Sequence, residues 1–212
     1  MSKAPPPPAP MLPAVILAGG LSRRMGGGDK GLLLLAGRPV LAHVRDRIAP
    51  QCGRLALNAN GDPARFAGLG LPVLPDAVPA GVEAWPGPLA GVLAALDWAA
   101  ALGAAGVITV ASDTPFLPGD LVARLAAAGP FALAAGTEDG GPRLHPVCGL
   151  WPVGLRDALA AALAAGERRI GLWAQAQGAA VAVFPAAAPD PFLNLNTPDD
   201  LARAEAALRH EV

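Results

Sequence analysis

Residues Leu17 to Lys30 read LAGGLSRRMGGGDK, placing five glycines and the cations Arg23, Arg24 and Lys30 in one short stretch. That mix suits a polyphosphate. Glycines let backbone N–H groups approach phosphate oxygens closely and accept left-handed conformations. Arginine adds a planar fork of donors and lysine a compact point charge. The alternative is a surface turn with solvated charges. Against it stands the preceding run, Ala14 to Ala18 (AVILA), which is short and apolar and ends in Gly19-Gly20, as a buried strand feeding a ligand loop would. Two named motifs are absent. Gly26, Gly28 and Gly31 match G-x-G-x-x-G by spacing but lie well past the strand end where a dinucleotide fingerprint sits. Lys30 is preceded by Asp29 and followed by Gly31, so there is no Walker A loop.

A second chemical position is Asp113, which follows the β-branched run Val107 to Ala111 (VITVA). Two roles stand open: a cap of the turn before Thr114-Pro115, or a carboxylate for a divalent cation at a ligand-facing edge. Arg168-Arg169, taken by themselves, read as a solvated helix end, favourable to the helix dipole. Asn194 and Asn196, taken by themselves, read as residues that shape the turn before the final helix. His145, beside Pro146, reads as structural, and no Ser/His/Asp set suggests a protein nucleophile.

The elements around these residues alternate between strand and helix. Strands are expected at Ala14 to Ala18, Leu55 to Asn58, Pro72 to Leu74, Val107 to Ala111, Phe131 to Ala135, Pro146 to Trp151 and Val181 to Phe184. Helices are expected at Pro39 to Ile48, Pro88 to Leu102 with Gly103 as the stop, Pro118 to Ala128, around Leu155 to Leu163, Ile170 to Gln177, and from Thr197 to about His210. In the last of these Thr197 can cap, Pro198 fits the first helical position and Asp200 sits where a capping-box acid would. The pattern predicts an α/β protein, a single Rossmann-like three-layer domain with a mainly parallel sheet. Ligands of such sheets bind beyond the carboxyl ends of the strands, which directs attention to residues just after Ala18, Asn58, Leu74 and Ala111.

Composition limits the alternatives. With 212 residues, 53% of them hydrophobic, the chain can bury a core as one domain, expected over residues 14–212. Met1 to Pro13, with proline unbroken from Pro5 to Pro8, is expected to be an extended, disordered tail without the apolar core of a secretory signal. A net charge of −1 argues against nucleic acid as a partner, and no apolar run is long enough to span a membrane. Cys52 and Cys148 are far apart and outside any metal-ligand spacing, so they read as buried thiols of a reducing compartment such as the cytoplasm.

With these residues in place, the chain resembles the molybdenum cofactor guanylyltransferases. LAGGLSRRMGGGDK is similar to that family's G-G-x-S-x-R-M-G-x-x-K loop. Asn58-Ala59-Asn60, Pro86-Gly87-Pro88-Leu89-Ala90-Gly91, Asp113-Thr114-Pro115, Glu167-Arg168-Arg169 and Asn194-Leu195-Asn196-Thr197-Pro198 resemble further blocks, in the family's order. The resemblance implies transfer of GMP from GTP to the phosphate of molybdopterin, with pyrophosphate released and Mg²⁺ as cofactor. It implies that Leu17, Ala18 and Gly19 contact the nucleotide through their backbones and that Lys30, with Arg24, engages its phosphates. Asn58 and Asp76 would complete the GTP pocket at base or ribose, and Asp113 would bind nucleotide and Mg²⁺. Arg169, Asn194 and Asn196 would hold molybdopterin. Apo-molybdoenzymes or their chaperones would receive the product of a monomeric enzyme. Ala77 to Trp85 is longer than the family's pattern and reads as a candidate flap near the nucleotide.

Three other functions compete. A cytidylyltransferase acting on the same pterin would carry LAAG where this chain has LAGG. A sugar-phosphate nucleotidyltransferase would take a different acceptor. A non-catalytic partner delivering cofactor would keep the glycine loop without needing Asp113.

Overall fold

A computed structural model describes residues 11–18, 30–79, 87–138 and 141–210. The run AVIL forms strand β1 (Ala14–Leu17), buried on both faces, as an apolar run must be when helices cover each side of a parallel sheet. Side chains alternate across it. Ala14 and Ile16 enter one core with Val40, Leu41 and Val44, while Val15 and Leu17 enter the other with Leu89, Val92 and Leu96. These partners come from helices α1 (Val40–Ile48) and α2 (Pro88–Ala101), so two helical layers sandwich the sheet. The described residues form a three-layer α/β unit, as the sequence predicts.

A short hairpin, β2 (Leu34–Leu35) and β3 (Arg38–Pro39), precedes α1. Beyond α1 come β4 (Leu55–Asn58) and β5 (Val73–Leu74), and after α2 comes β6 (Gly106–Ala111). Then follow α3 (Leu121–Ala128), β7 (Ala132–Glu138), β8 (Gly141–Pro152), α4 (Arg156–Ala164), α5 (Ile170–Ala176), β9 (Ala180–Phe184) and α6 (Pro198–His210). The seven-stranded sheet has the order β5-β4-β1-β6-β8-β7-β9. β1 pairs in parallel with β4 on one side and β6 on the other, and β8 runs antiparallel to both β6 and β7. The chain therefore departs from β1 to one side and returns on the other, which is the switch point where such sheets open a ligand crevice.

The structure departs from the expected elements in two places and adds a hairpin that the sequence does not signal. The helix expected from Pro118 begins at Leu121, with Gly119-Asp120, both poor helix formers, taken up in the turn before it. The β2–β3 hairpin turns at Ala36-Gly37 with φ of 49° and 77°, and alanine there hides the Asn-Gly signal that marks such turns. β8 is longer than Pro146 to Trp151 and is interrupted. Leu133 faces Gly149 but Ala134 faces His145, so Pro146, Val147 and Cys148 bulge out of the β7 pairing.

Residues 1–10 of the proline-rich start lie outside the described residues. The carbonyls of Leu12 and Pro13 accept from Gly53 N–H (3.0 Å) and Ile108 N–H (2.9 Å), so ordered backbone pairing begins just before β1.

A buried polar chain links the core to the bulge. Trp151 Nε1–H donates to Thr109 Oγ1 at 2.7 Å, and Thr109 Oγ1–H donates to the Val147 carbonyl at 2.6 Å. Both Thr109 and Trp151 have no solvent exposure. Thr109→Val keeps the shape but strands a buried indole N–H and a carbonyl, so it should lower unfolding free energy by about 1–3 kcal/mol in urea denaturation. An unchanged midpoint would contradict this role.

Candidate functional site

Four strand ends build the site. β1 delivers Leu17, β4 delivers Asn58, the segment after β5 delivers Asp76, and the turn after β6 delivers Asp113. They line a cleft of about 330 Å³ together with Lys30, Gly87, Gly91 and Val147. Small-molecule sites begin at about this size. The first turn of α2 closes its floor. Gly87 enters that helix with φ 80°, a conformation other residues resist, and a Cβ on Gly91 would collide with Asn58 Oδ1.

Asn58 is fully buried and acts as a bracket. Its Nδ2 donates to the Leu74 carbonyl (3.1 Å) and to Asp76 Oδ1 (3.0 Å). Asn60 grips the same carboxylate from the other side, with Nδ2 donating to Asp76 Oδ2 (2.7 Å) and Oδ1 accepting from Asp76 N–H (2.9 Å). Asp76 is thus fixed at the cleft wall as a pure acceptor. Asn60 has a role that the sequence places in a motif block without assigning it one.

The backbone at the end of β1 is partly committed. Ala18 N–H donates to the Asn58 carbonyl (2.8 Å) and Leu17 C=O accepts from Ser112 N–H (3.2 Å). The backbone contacts expected of Leu17 and Ala18 are therefore limited to their other groups. Gly19, Arg23 and Arg24 lie outside the described residues, as do residues 80–85 of the candidate flap.

Lys30 opens a short 3₁₀ turn, Lys30–Leu32, and its ammonium reaches two expected site residues. Nζ donates to Asn196 Oδ1 and lies 3.8 Å from Asp113 Oδ2. A third link closes the group, because Leu195 N–H donates to the Asp113 carbonyl at 3.0 Å. The 194–196 segment is itself pinned at the start of α6. Asp200 Oδ2 accepts from the N–H groups of Asn196 and Thr197 (3.0 and 2.9 Å), and Thr197 Oγ1 accepts from Asp200 N–H (3.1 Å). This is the reciprocal capping expected from the sequence.

Asp113 carries an electrostatic imbalance. Burial pushes its carboxyl above the ordinary carboxylate range, and the Lys30 ammonium only partly opposes that shift. The folded protein therefore holds this proton more tightly than the unfolded chain does. The ionised group disfavours folding at neutral pH, and that penalty fades as pH falls through the raised folded value toward the ordinary 3.8. Without ligands, Asp113→Asn should melt higher than the unsubstituted protein at pH 7, and the gap should shrink on acidification. A gap that widens as pH falls would contradict this.

A second cavity of about 300 Å³ adjoins the cleft, sharing Ala111, Asp113 and Val147 and adding Arg143, His145, Asn194 and Asn196. Asn194 and Asn196 thus come together with Asp113 and Lys30. Arg169 does not. It lies in a shallow depression with Trp173, is mostly exposed, and sits 3.4 Å from Glu167. His145 stacks on Phe192 with centroids 4.5 Å apart and planes at 17°, consistent with a structural ring. Cys148 is buried beside Asp113 with its thiol pushed up to about 12, and burial raises Cys52 to about 11, so both thiols stay protonated. Among the described residues no group of three His, Cys, Asp or Glu side chains could hold a metal, and no helix is long and apolar enough to cross a membrane.

Comparison with known proteins gives a consistent result. The MobA-like NTP transferase domain model matches residues 14–188. A molybdenum cofactor guanylyltransferase of Cereibacter sphaeroides is 56% identical over 197 residues, covering 93% of this chain and 97% of that one. Another of that name, from Bradyrhizobium sp. (strain ORS 278), is 52% identical and covers 92% of each. The crystal structure of molybdopterin-guanine dinucleotide biosynthesis protein A from Archaeoglobus fulgidus superposes with a TM-score of 0.67 at 23% identity, covering 94% of this chain and all of that one, which shows a shared fold.

Proposed function

The chain belongs to the MobA-like NTP transferase family, and on that premise we propose that it transfers GMP from GTP to the phosphate of molybdopterin, releasing pyrophosphate. The observation that carries this is the pair of adjoining cavities meeting at Asp113, one walled by Lys30, Asn58 and Asp76 and the other by Asn194 and Asn196. Two anions can be brought to one carboxylate-bearing edge from opposite sides.

The first cavity takes GTP. Asp76, held by Asn58 and Asn60, accepts from base or ribose donors, and backbone groups of Leu17, Ala18 and Gly19 border the nucleotide. Lys30 and Arg24 balance phosphate charge. For Lys30 this means exchanging Asn196 for a phosphate oxygen, which leaves Asn196 able to join Asn194 at the acceptor. Arg169 would have to swing from Glu167 to take part. The acceptor phosphate is already ionised, so no general base is needed. One of its oxygens forms a bond to the α-phosphorus as the bond from that phosphorus to the β-bridging oxygen breaks. Orientation and charge compensation supply the catalysis.

Mg²⁺ fits this arrangement. Asp113 is a partly buried carboxylate left under-neutralised by a cation 3.8 Å away, and Mg²⁺ typically takes one or two carboxylates plus phosphate oxygens. When bound there it would neutralise the triphosphate and polarise the phosphoryl group. A monomer acting in the cytoplasm as one catalytic unit from residue 14 onward, with product passed to apo-molybdoenzymes or their chaperones, completes the proposal.

Incubation with GTP, Mg²⁺ and molybdopterin, followed by mass analysis, tests the reading. The guanine dinucleotide should form, and equimolar CTP should compete poorly. A cytosine dinucleotide as the main product would favour the cytidylyltransferase alternative.

A further inference from the structure

The acceptor cavity holds an arginine that the sequence does not single out. β8 pairs with β6 only as far as Gly149, opposite Thr109. Its earlier half therefore runs on past the pairing with β6, and this part of β8, with Pro146, Val147 and Cys148 out of the β7 pairing, lines the same cavity as Asp113. Cys148 is close enough to Asp113 and Ala111 to feel both. Arg143 lies five residues further out on the same strand and lines the same cavity. At about 3.3 Å per residue, less the bulge, that is on the order of 10–15 Å from the reacting edge. The arm is held in place by His145, whose ring stacks on Phe192 of the segment leading to Asn194.

Resting on the transfer reading above, we propose that Arg143 is an acceptor-specificity residue. Its guanidinium engages the end of the acceptor remote from the phosphate and donates to the carbonyl and ring nitrogens of a planar heterocycle. Asn194 and Asn196 hold the near end beside Asp113. A rigid fork of donors suits a flat ring edge in a way that a flexible ammonium does not. His145 serves as a positioning residue for this arm. Arg169, exposed and turned to Glu167, lines a different depression.

Steady-state kinetics of Arg143→Gln test the assignment. KM for molybdopterin should rise about ten- to a hundredfold, while kcat at saturating acceptor and the Kd for GTP stay near their original values. Arg143→Lys should restore only part of the loss. An acceptor KM within twofold of the original in Arg143→Gln would overturn the proposal, as would full rescue by Arg143→Lys. If the unsubstituted protein itself forms no dinucleotide, the transfer reading falls and this assignment falls with it.

Discussion

Asp113→Ala is expected to lower turnover by about 1,000-fold or more while leaving the protein folded. The carboxylate is placed at the end of a buried strand, at the one edge shared by both cavities. No other described acid lines that shared edge. Its burial is not compensated by its partner, so removing it relieves an electrostatic penalty instead of opening a void in the core. Circular dichroism and thermal melting should therefore look native or slightly stabilised, and the defect should lie in kcat and in the Mg²⁺ requirement. The unsubstituted enzyme should also need more Mg²⁺ as the pH falls, beginning above the range of an ordinary carboxylate, because the raised Asp113 carboxyl gains its proton early. Native-like turnover in Asp113→Ala at ordinary Mg²⁺ would remove the metal assignment.

Lys30→Ala should reduce kcat/KM for GTP by about 100-fold or more. The ammonium is the described cation closest to Asp113, and its links to Asn196 and Asp113 fix it at the junction of the cavities. The same substitution has a second consequence. Lys30 is the largest of the influences that lower the Asp113 carboxyl against burial, so without it that carboxyl rises further. The acidic limb of the residual pH–rate profile should move to higher pH. Unchanged kinetics at low GTP, or an acidic limb displaced to lower pH, would contradict the arrangement.

The parts of this site that were legible in the sequence are those fixed by local rules. An apolar run ending in glycine gave β1, a β-branched run ending in Ser112-Asp113 gave β6, and Thr197-Pro198-Asp199-Asp200 gave the cap of α6. Alternation of strands and helices then directed attention to the residues just after Ala18, Asn58, Leu74 and Ala111, and the family resemblance added Lys30, Asn58 and Asp76. What stayed hidden depends on pairing between distant segments. Asn60 shows its role only through the carboxylate of Asp76 that it holds. The outer half of β8 carries Pro142, Pro146 and the polar Arg143 and His145, so it lacks the apolar alternation of a strand. It forms because β7 supplies a partner. Arg143 could be found only once that arm was in place. Arg169 matched a family block by position, yet its exposed side chain lies 3.4 Å from Glu167, outside the cavity that holds Asn194 and Asn196.

The central claim is that the α-phosphate of GTP is joined to the acceptor at the edge marked by Lys30 and Asp113. It is tested most directly by following GTP labelled at the α-phosphorus in the presence of Mg²⁺ and molybdopterin. The account predicts that the label moves into the pterin product with one pyrophosphate released for each label transferred, and that Asp113→Ala abolishes both together. Label that stays in guanine nucleotides while the protein binds both substrates would contradict it.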